Sequence, residues 1–456
     1  MAIVTTGMHL DQRRDAGLPG SDGRLSRPNP ADMRAFVTDG NERPALAITR
    51  SLGRRGVSVL VGENGQVSLA STSRYCAGHV AYPSPYRHPE AFDRFLLDLV
   101  ERERIDVIVP VTDVTTHAVA RNQAALGRHS AVAAPPLEAF DAVTDKWSLL
   151  QRAARCGIPI PRTHFVDGAG SLKPLLARLE YPAVVKPVRS RIRTDRRWVP
   201  TSVQYAHSEA DLLRLYTETD YLRSHPSLIQ ERISGPGVGV FVLCDRGRVR
   251  VAFAHRRLRE KPPSGGASVL CESLAVDRGL LDQAIRLLEP LGWHGVAMLE
   301  YKRNRRTGGA VLMEVNGRFW GSLQLAVDAG VDFPYLSYRL ALGQPLDIPS
   351  GYTVGVKSRW LLGDLDHLLL RLFRSDRDLT DLAPSKLRSL VEFLTWAPGV
   401  RHEVFRRDDP RPMLHELACY ANAVAGSAAC RVGLRRGRRA TSSFAHHGDN
   451  HARAIR

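Results

Sequence analysis

Short apolar runs alternate with amphipathic stretches along the first third of the chain. Arg34-Ala-Phe-Val-Thr38 reads as a short strand that breaks at Asp39-Gly40-Asn41. Pro44 to Arg55 reads as a helix, with Pro44 suited to its first turn and Gly56 to its end. Val57-Ser-Val-Leu-Val61 predicts a buried strand, the region from Pro89 to Glu103 a helix, and Asp106-Val-Ile-Val-Pro110 a further strand. Strands that alternate with helices imply a parallel α/β sheet.

That first unit, residues 31–140, is Rossmann-like in outline. It lacks a G-x-G-x-x-G turn after its first strand, so no dinucleotide site is assigned to it. A second unit spans 141–345. It opens with a helix from Asp145 to Cys156, closed by Gly157, and continues as short strands, turns and helices. Residues 346–426 are expected to be mostly helical, as in Leu362 to Phe373 and Pro384 to Trp396. Within them, Lys357 to Trp360 is the stretch that could approach a site formed upstream. Residues 1–30 and 427–456 carry no periodicity and are expected to be a disordered leader and a basic disordered tail.

Composition changes this picture in one respect. The chain has 456 residues and a formal net charge of +17, with arginines clustered at 189–197, at 254–261 and from Arg431 onward. Such charge suits nucleic acid, an acidic surface or a phosphate-rich small molecule. No aromatic-interleaved basic stripe, zinc finger or recognition-helix pattern is present, which disfavours nucleic acid. The cysteines Cys76, Cys156, Cys244, Cys271, Cys419 and Cys430 are scattered without a C-x-x-C pair, as expected for reduced thiols in a cytoplasmic protein. No apolar run approaches the roughly 18–20 residues of a membrane-spanning helix, and no apolar signal-peptide core is seen.

Chemistry concentrates in Leu312-Met-Glu-Val-Asn-Gly-Arg318. Side chains alternate faces along a strand, so Glu314, Asn316 and Arg318 share one face. A carboxylate and an amide oxygen are hard ligands suited to Mg²⁺, and an arginine beyond them can grip phosphate or carboxylate with two prongs. Upstream, Gly295-Val-Ala-Met-Leu-Glu-Tyr301 places Glu300 on an apolar strand joined to the first by a polar turn, a plausible hairpin with two facing acids. Without a metal, such a pair would repel. Lys186 ends the apolar strand in Pro182-Ala-Val-Val-Lys-Pro187, and Lys146 stands at a helix start after Asp145; each is either a solvated lysine or a phosphate ligand. Leu228-Ile-Gln-Glu-Arg-Ile233 is a short strand whose backbone can meet an adenine edge and whose acid can meet a ribose hydroxyl. The glycines of Gly235-Pro-Gly-Val-Gly239 read as a hairpin turn.

The order of these motifs resembles the ATP-grasp superfamily, which includes biotin carboxylase, carbamoyl phosphate synthetase and D-alanine–D-alanine ligase. The resemblance spans residues 34–345 and rests on Asp145-Lys146, V-V-K-P at Lys186, Q-E-R-I at 230–233, G-V-A-M-L-E ending at Glu300, and E-V-N-G-R from Glu314. It implies an α/β fold: a Rossmann-like pre-ATP-grasp domain, a two-lobed α+β ATP-grasp domain and a helical C-terminal extension. Lys146 and Lys186 would contact ATP phosphates, and Gln230, Glu231, Arg232 and Ile233 would frame the adenosine. Glu300, Glu314 and Asn316 would bind Mg²⁺, or Mn²⁺ in its place, and Arg318 would face the acyl group. Arg257 or Arg259, in His255-Arg-Arg-Leu-Arg-Glu-Lys261, would supply a cation to the transferring phosphoryl group.

Two departures are visible. The glycine-rich lid of many family members is replaced by Arg189-Ser-Arg-Ile-Arg193 and the following Arg196 and Arg197, and Gly317 stands where proline is usual. The segment from Phe319 to Pro334 resembles a branch of predicted ATP-dependent carboxylate–amine ligases. The expected activity joins a small carboxylate and an amine through an acyl phosphate, with ATP converted to ADP and phosphate. A non-catalytic Mg-ATP-binding regulator is the alternative, and a homodimer is a fold-level expectation.

Overall fold

The computed structural model describes residues 3–5, 33–194, 197–373, 384–395 and 399–434. Near the N-terminus, five strands form a wholly parallel sheet in the order Gly78–Ala81, Ser58–Glu63, Arg34–Val37, Val107–Val109, Ala131–Val132. Its central strands are apolar and buried, as a sheet covered on both faces requires. The chain leaves Arg34–Val37 to one side and returns beyond it at Val107–Val109. The strand order therefore reverses between these two, which opens a crevice at their carboxyl ends. The helix Arg43–Gly53 leaves this crevice, with Pro44 in its first turn, where its missing N–H leaves no bond unmade.

Two antiparallel sheets follow. A four-stranded sheet runs Gln204–Ala206, Ala183–Pro187, Ser227–Glu231, Thr163–Val166. A seven-stranded sheet runs Ala310–Asn316, Gly295–Arg303, Gly237–Asp245, Arg248–Lys261, Ala267–Leu274, Lys357–Arg359, Val400–His402. Only the last pair in it is parallel.

Three expectations need correction. Residues 346–426 are not simply a helical extension, because Lys357–Arg359 and Val400–His402 extend the seven-stranded sheet. The edge of Ala267–Leu274 offers backbone groups that need partners, and the three residues Lys357–Arg359 are enough to bond to it. Helices Leu361–Phe373 and Lys386–Leu394 do lie near their expected places. Within the expected leader, Ile3–Thr5 pairs with Gly351–Thr353. The helix Arg411–Leu434 runs into the expected tail, whose remaining residues lie outside the described ones.

The largest apolar core ignores the boundary between the first two units. Val37, Ile48 and Leu52 pack in one cluster with Phe241, Phe253, Trp320 and Phe333. Trp320 sits 4.3 Å from the Phe241 ring and 5.1 Å from Phe333. Truncating an aromatic in such a cluster costs about 3–5 kcal/mol, so this core fixes the parallel sheet against the seven-stranded one. Cys76, Cys156, Cys244, Cys271 and Cys419 are free thiols. Among the described residues, no helix is long and apolar enough to cross a membrane.

Candidate active site

Register between Gly295–Arg303 and Ala310–Asn316 sets Glu300 directly opposite Glu314, and Met298 opposite Asn316. The Asn316 amide donates to Glu300 Oε1 at 3.1 Å and to Glu314 Oε1 at 3.3 Å. Two facing acids need a cation between or beside them. Burial opposes ionisation of Glu314, but Lys146 and Lys186 outweigh it and hold its carboxyl below the usual range. Glu300 is pushed upward by burial and by Glu314, against the Arg257 guanidinium paired with it. The two carboxylates are hard oxygen ligands that fit Mg²⁺; here Asn316 turns its amide nitrogen to them and its oxygen to Arg318, and a metal would require that amide turned over to add its oxygen to the set. No group of three or more His, Cys, Asp or Glu side chains suited to a metal is found among the described residues.

These residues face a cleft of about 320 Å³ between the two antiparallel sheets. Lys186 enters from the smaller sheet, where burial, offset in part by Glu314, brings its ammonium down to about 8. Gln230, Glu231, Arg232 and Ile233 line the same end, with Met298, Lys302 and Met313 across from them. Gln230 donates to Thr163 at 2.9 Å and leaves its buried Oε1 without a partner among the described residues. Glu231 accepts from the Arg162 backbone at 2.9 Å, and Ile233 offers its carbonyl to Lys302 at 3.4 Å.

The two candidate arginines of Arg248–Lys261 separate. Arg257 lines the cleft and pairs with Glu300 and, at 3.1 Å, with Glu260. Arg259 does not line the cleft: it pairs with buried Asp364 at 2.7 Å and donates to the Glu392 carbonyl. Simple alternation puts residues two apart on one face. Here the ladder slips on both sides of Arg259, so Glu260 takes the inward place and Arg259 the outward one.

Arg318 binds Asp113 at 3.2 Å and the Asn316 side-chain oxygen at 3.1 Å, which brings it to the crevice of the parallel sheet. Lys146 sits in the first turn of a helix capped by Asp145 and donates to Ser190 at 2.7 Å. It lines a smaller annex of about 40 Å³ that shares Glu314 and Asn316 with the cleft. Arg189, Ser190, Arg191 and Trp198 cover that annex. Their strands Arg191–Arg193 and Trp198–Pro200 rest on the first unit, through a 2.8 Å bond from Trp198 N–H to the Tyr86 carbonyl and a 5.4 Å contact with His117. Gly317 has a packing reason: a Cβ there would stand 2.7 Å from Trp293 and 3.0 Å from Phe140.

Residues 223–361 match the family model described as ATP-grasp in the biosynthetic pathway with Ter operon. The fold superposes on biotin carboxylase from Campylobacter jejuni with a TM-score of 0.58, at 17% identity over 72% of this chain and 75% of that one. The chain has an ATP-grasp fold. It is also similar to the L-amino acid ligase from Bacillus licheniformis (TM-score 0.55, 17% identity, 68% of this chain and 74% of that one). A third similar structure is the N5-carboxyaminoimidazole ribonucleotide synthetase from Thermus thermophilus (TM-score 0.52, 18% identity, 69% and 79%). No curated protein sequence matches the chain.

Several lining residues of the cleft were not among the sequence candidates. They are Arg43, His255, Glu260, Lys302 and Trp320, with Asp113 in the annex. His255 lies within the basic segment and two places before Arg257, a signal strong enough to have found it. Arg43 had none, because it stands far from every motif and next to a helix-starting proline.

Proposed function

We propose that this ATP-grasp protein is an ATP-dependent carboxylate–amine ligase. The observation that carries the reading is the facing pair Glu300 and Glu314 with Asn316, set against Lys186 across one cleft. A carboxylate is a poor acyl donor, because its leaving group would be oxide. In the proposed reaction a carboxylate oxygen attacks the γ-phosphorus of ATP, the bond to the β-γ bridging oxygen breaks, and ADP leaves. The amine then attacks the acyl carbon, loses a proton, and expels inorganic phosphate.

Each residue has a part in this scheme. Gln230 to Ile233 hold the adenosine, and Lys186 and Lys146 hold phosphate oxygens. Mg²⁺ on Glu300, Glu314 and Asn316 would neutralise phosphate charge during transfer. Arg257 offers its guanidinium at the phosphoryl end, and Arg318 orients the acid beside the crevice. The arginine-rich cover over the annex takes the place of a glycine-rich lid and excludes water from the acyl phosphate.

The test is ADP release from Mg-ATP with a panel of small carboxylates, hydroxylamine serving as nucleophile. Carboxylate-dependent ADP with a matching hydroxamate is the expected result. Tight Mg-ATP binding without ADP across the panel would instead favour a regulator.

A further inference from the structure

Beyond Glu300 and Arg257, the cleft continues to a far end lined by Arg43, His255, Trp320, Gly321 and Ser322. His255 belongs to the metal-site row of the sheet: it pairs with Gly239, Gly239 with Glu300, and Glu300 with Glu314. The imidazole is fully buried and lies against Gly239, where a Cβ would come 3.0 Å from its Cδ2. Burial and the nearby Arg257 keep it neutral. Its Nδ1 meets Ser322 Oγ at 3.4 Å, while its Nε2 has no partner among the described residues. The indole Nε1 of Trp320, 1% exposed, has none either.

Arg43 comes to this place from the first turn of the helix that leaves the parallel-sheet crevice. Two residues from beyond 345 hold it there. Its guanidinium lies 4.0 Å from the Trp360 ring and pairs through Nη1 with Glu403. The other edge passes Gly321, where a Cβ would stand 2.9 Å from Nη2. Indole is a donor only and guanidinium offers no acceptor; Glu403, whose other carboxylate oxygen has no partner among the described residues, pairs with Arg43 but does not line the cleft, so the groups that face the cleft here are mainly donors. A bound acceptor would pair buried donors that now have no partner among the described residues.

We propose that this far end is a second oxyanion subsite. Resting on the ligase reading, it selects an acid that carries a further carboxylate away from the reacting one. Two strand spacings, roughly 10 Å, separate the backbone rows of Glu300 and His255, so a short-chain dicarboxylate spans the distance. Arg43 and the neighbouring buried donors bind the distal carboxylate, and Glu403 and Trp360 are positioning residues for Arg43.

Calorimetric titration of the full chain, with and without Mg-ADP, tests the subsite separately from turnover. The probes are the unbranched dicarboxylates from succinate to pimelate, each beside its monoamide. At least one dicarboxylate is expected to bind roughly 10–100-fold more tightly than its monoamide, the worth of a charge-assisted hydrogen bond. Arg43→Met should bring that ratio to about one. Gly321→Ala, which removes no donor, should do the same by displacing the guanidinium, and thermal melting checks that both variants fold. Equal binding of every pair, no dicarboxylate binding, or an unchanged ratio in both folded variants overturns the proposal. Selective binding without carboxylate-dependent ADP would sink the ligase reading and leave the subsite standing.

Discussion

The end of the cleft proposed for the nucleotide is assembled from one hairpin, one neighbouring strand and two strands of the smaller sheet, whereas the far end gathers side chains from across the whole chain. Glu300, Glu314 and Asn316 are neighbours on two paired strands, within 16 residues of one another. Arg43 and Glu403, which meet at the far end, are 360 residues apart. Short hairpins set their contacts through local register, so the first group tolerates variation elsewhere in the molecule. The second depends on the core that joins the parallel sheet to the seven-stranded one, and on the two strands that residues beyond 345 add to it.

Breaking the nucleotide end should have the largest effect. Glu314→Ala is expected to lower ADP formation by about 10³-fold or more, since several kcal/mol of charge stabilisation vanish with the metal site. Unchanged melting alongside that loss, measured by circular dichroism, would place the effect in the chemistry. Undiminished turnover would refute the metal assignment.

Next comes the contrast between two arginines on one strand. Arg257→Ala should lower kcat by about 10²–10³-fold. Arg259→Ala should leave kcat near its starting value while costing about 1–3 kcal/mol by urea titration, since buried Asp364 loses one arginine partner and keeps Arg359. The same pattern for both variants would erase the distinction drawn by the slipped ladder.

The smallest effect concerns Glu403 at the far end. Burial pushes its carboxyl up to about 7 despite Arg43, with Glu416 and Asp328 adding to the rise. A folded value above the unfolded one means the native state holds the extra proton, so this stabilisation is full below about 4.5 and is lost as pH rises through about 7. Glu403→Gln removes that slope. Its melting temperature relative to the unaltered protein should therefore rise between pH 5 and pH 8, and a flat or falling difference would contradict the direction of the shift.

Much of the fold, and the placing of Glu300 and Glu314 on paired strands, could be read before the structure. Strand–helix alternation over 34–110 pointed to the parallel sheet, because a wholly buried strand must be apolar along its length. Glu314 and Asn316 could be placed on one face from their spacing alone. The strands at 357–359 and 400–402 escaped notice because three residues carry too little pattern to distinguish a strand from a connection. Gly317 looked like a departure of unknown meaning until Trp293 and Phe140 were found against it.

By itself, the sequence determined the residues that follow one another on a strand and therefore that Glu314 and Asn316 share a face, since period-two alternation is a property of neighbours along the chain. Tertiary structure alone decided which of Arg257 and Arg259 faces inward, because a ladder slip depends on the partner strand. It also decided that Arg43 meets Trp360 and Glu403. Contacts between distant segments are set by how whole elements pack, and no local pattern in any one segment encodes them.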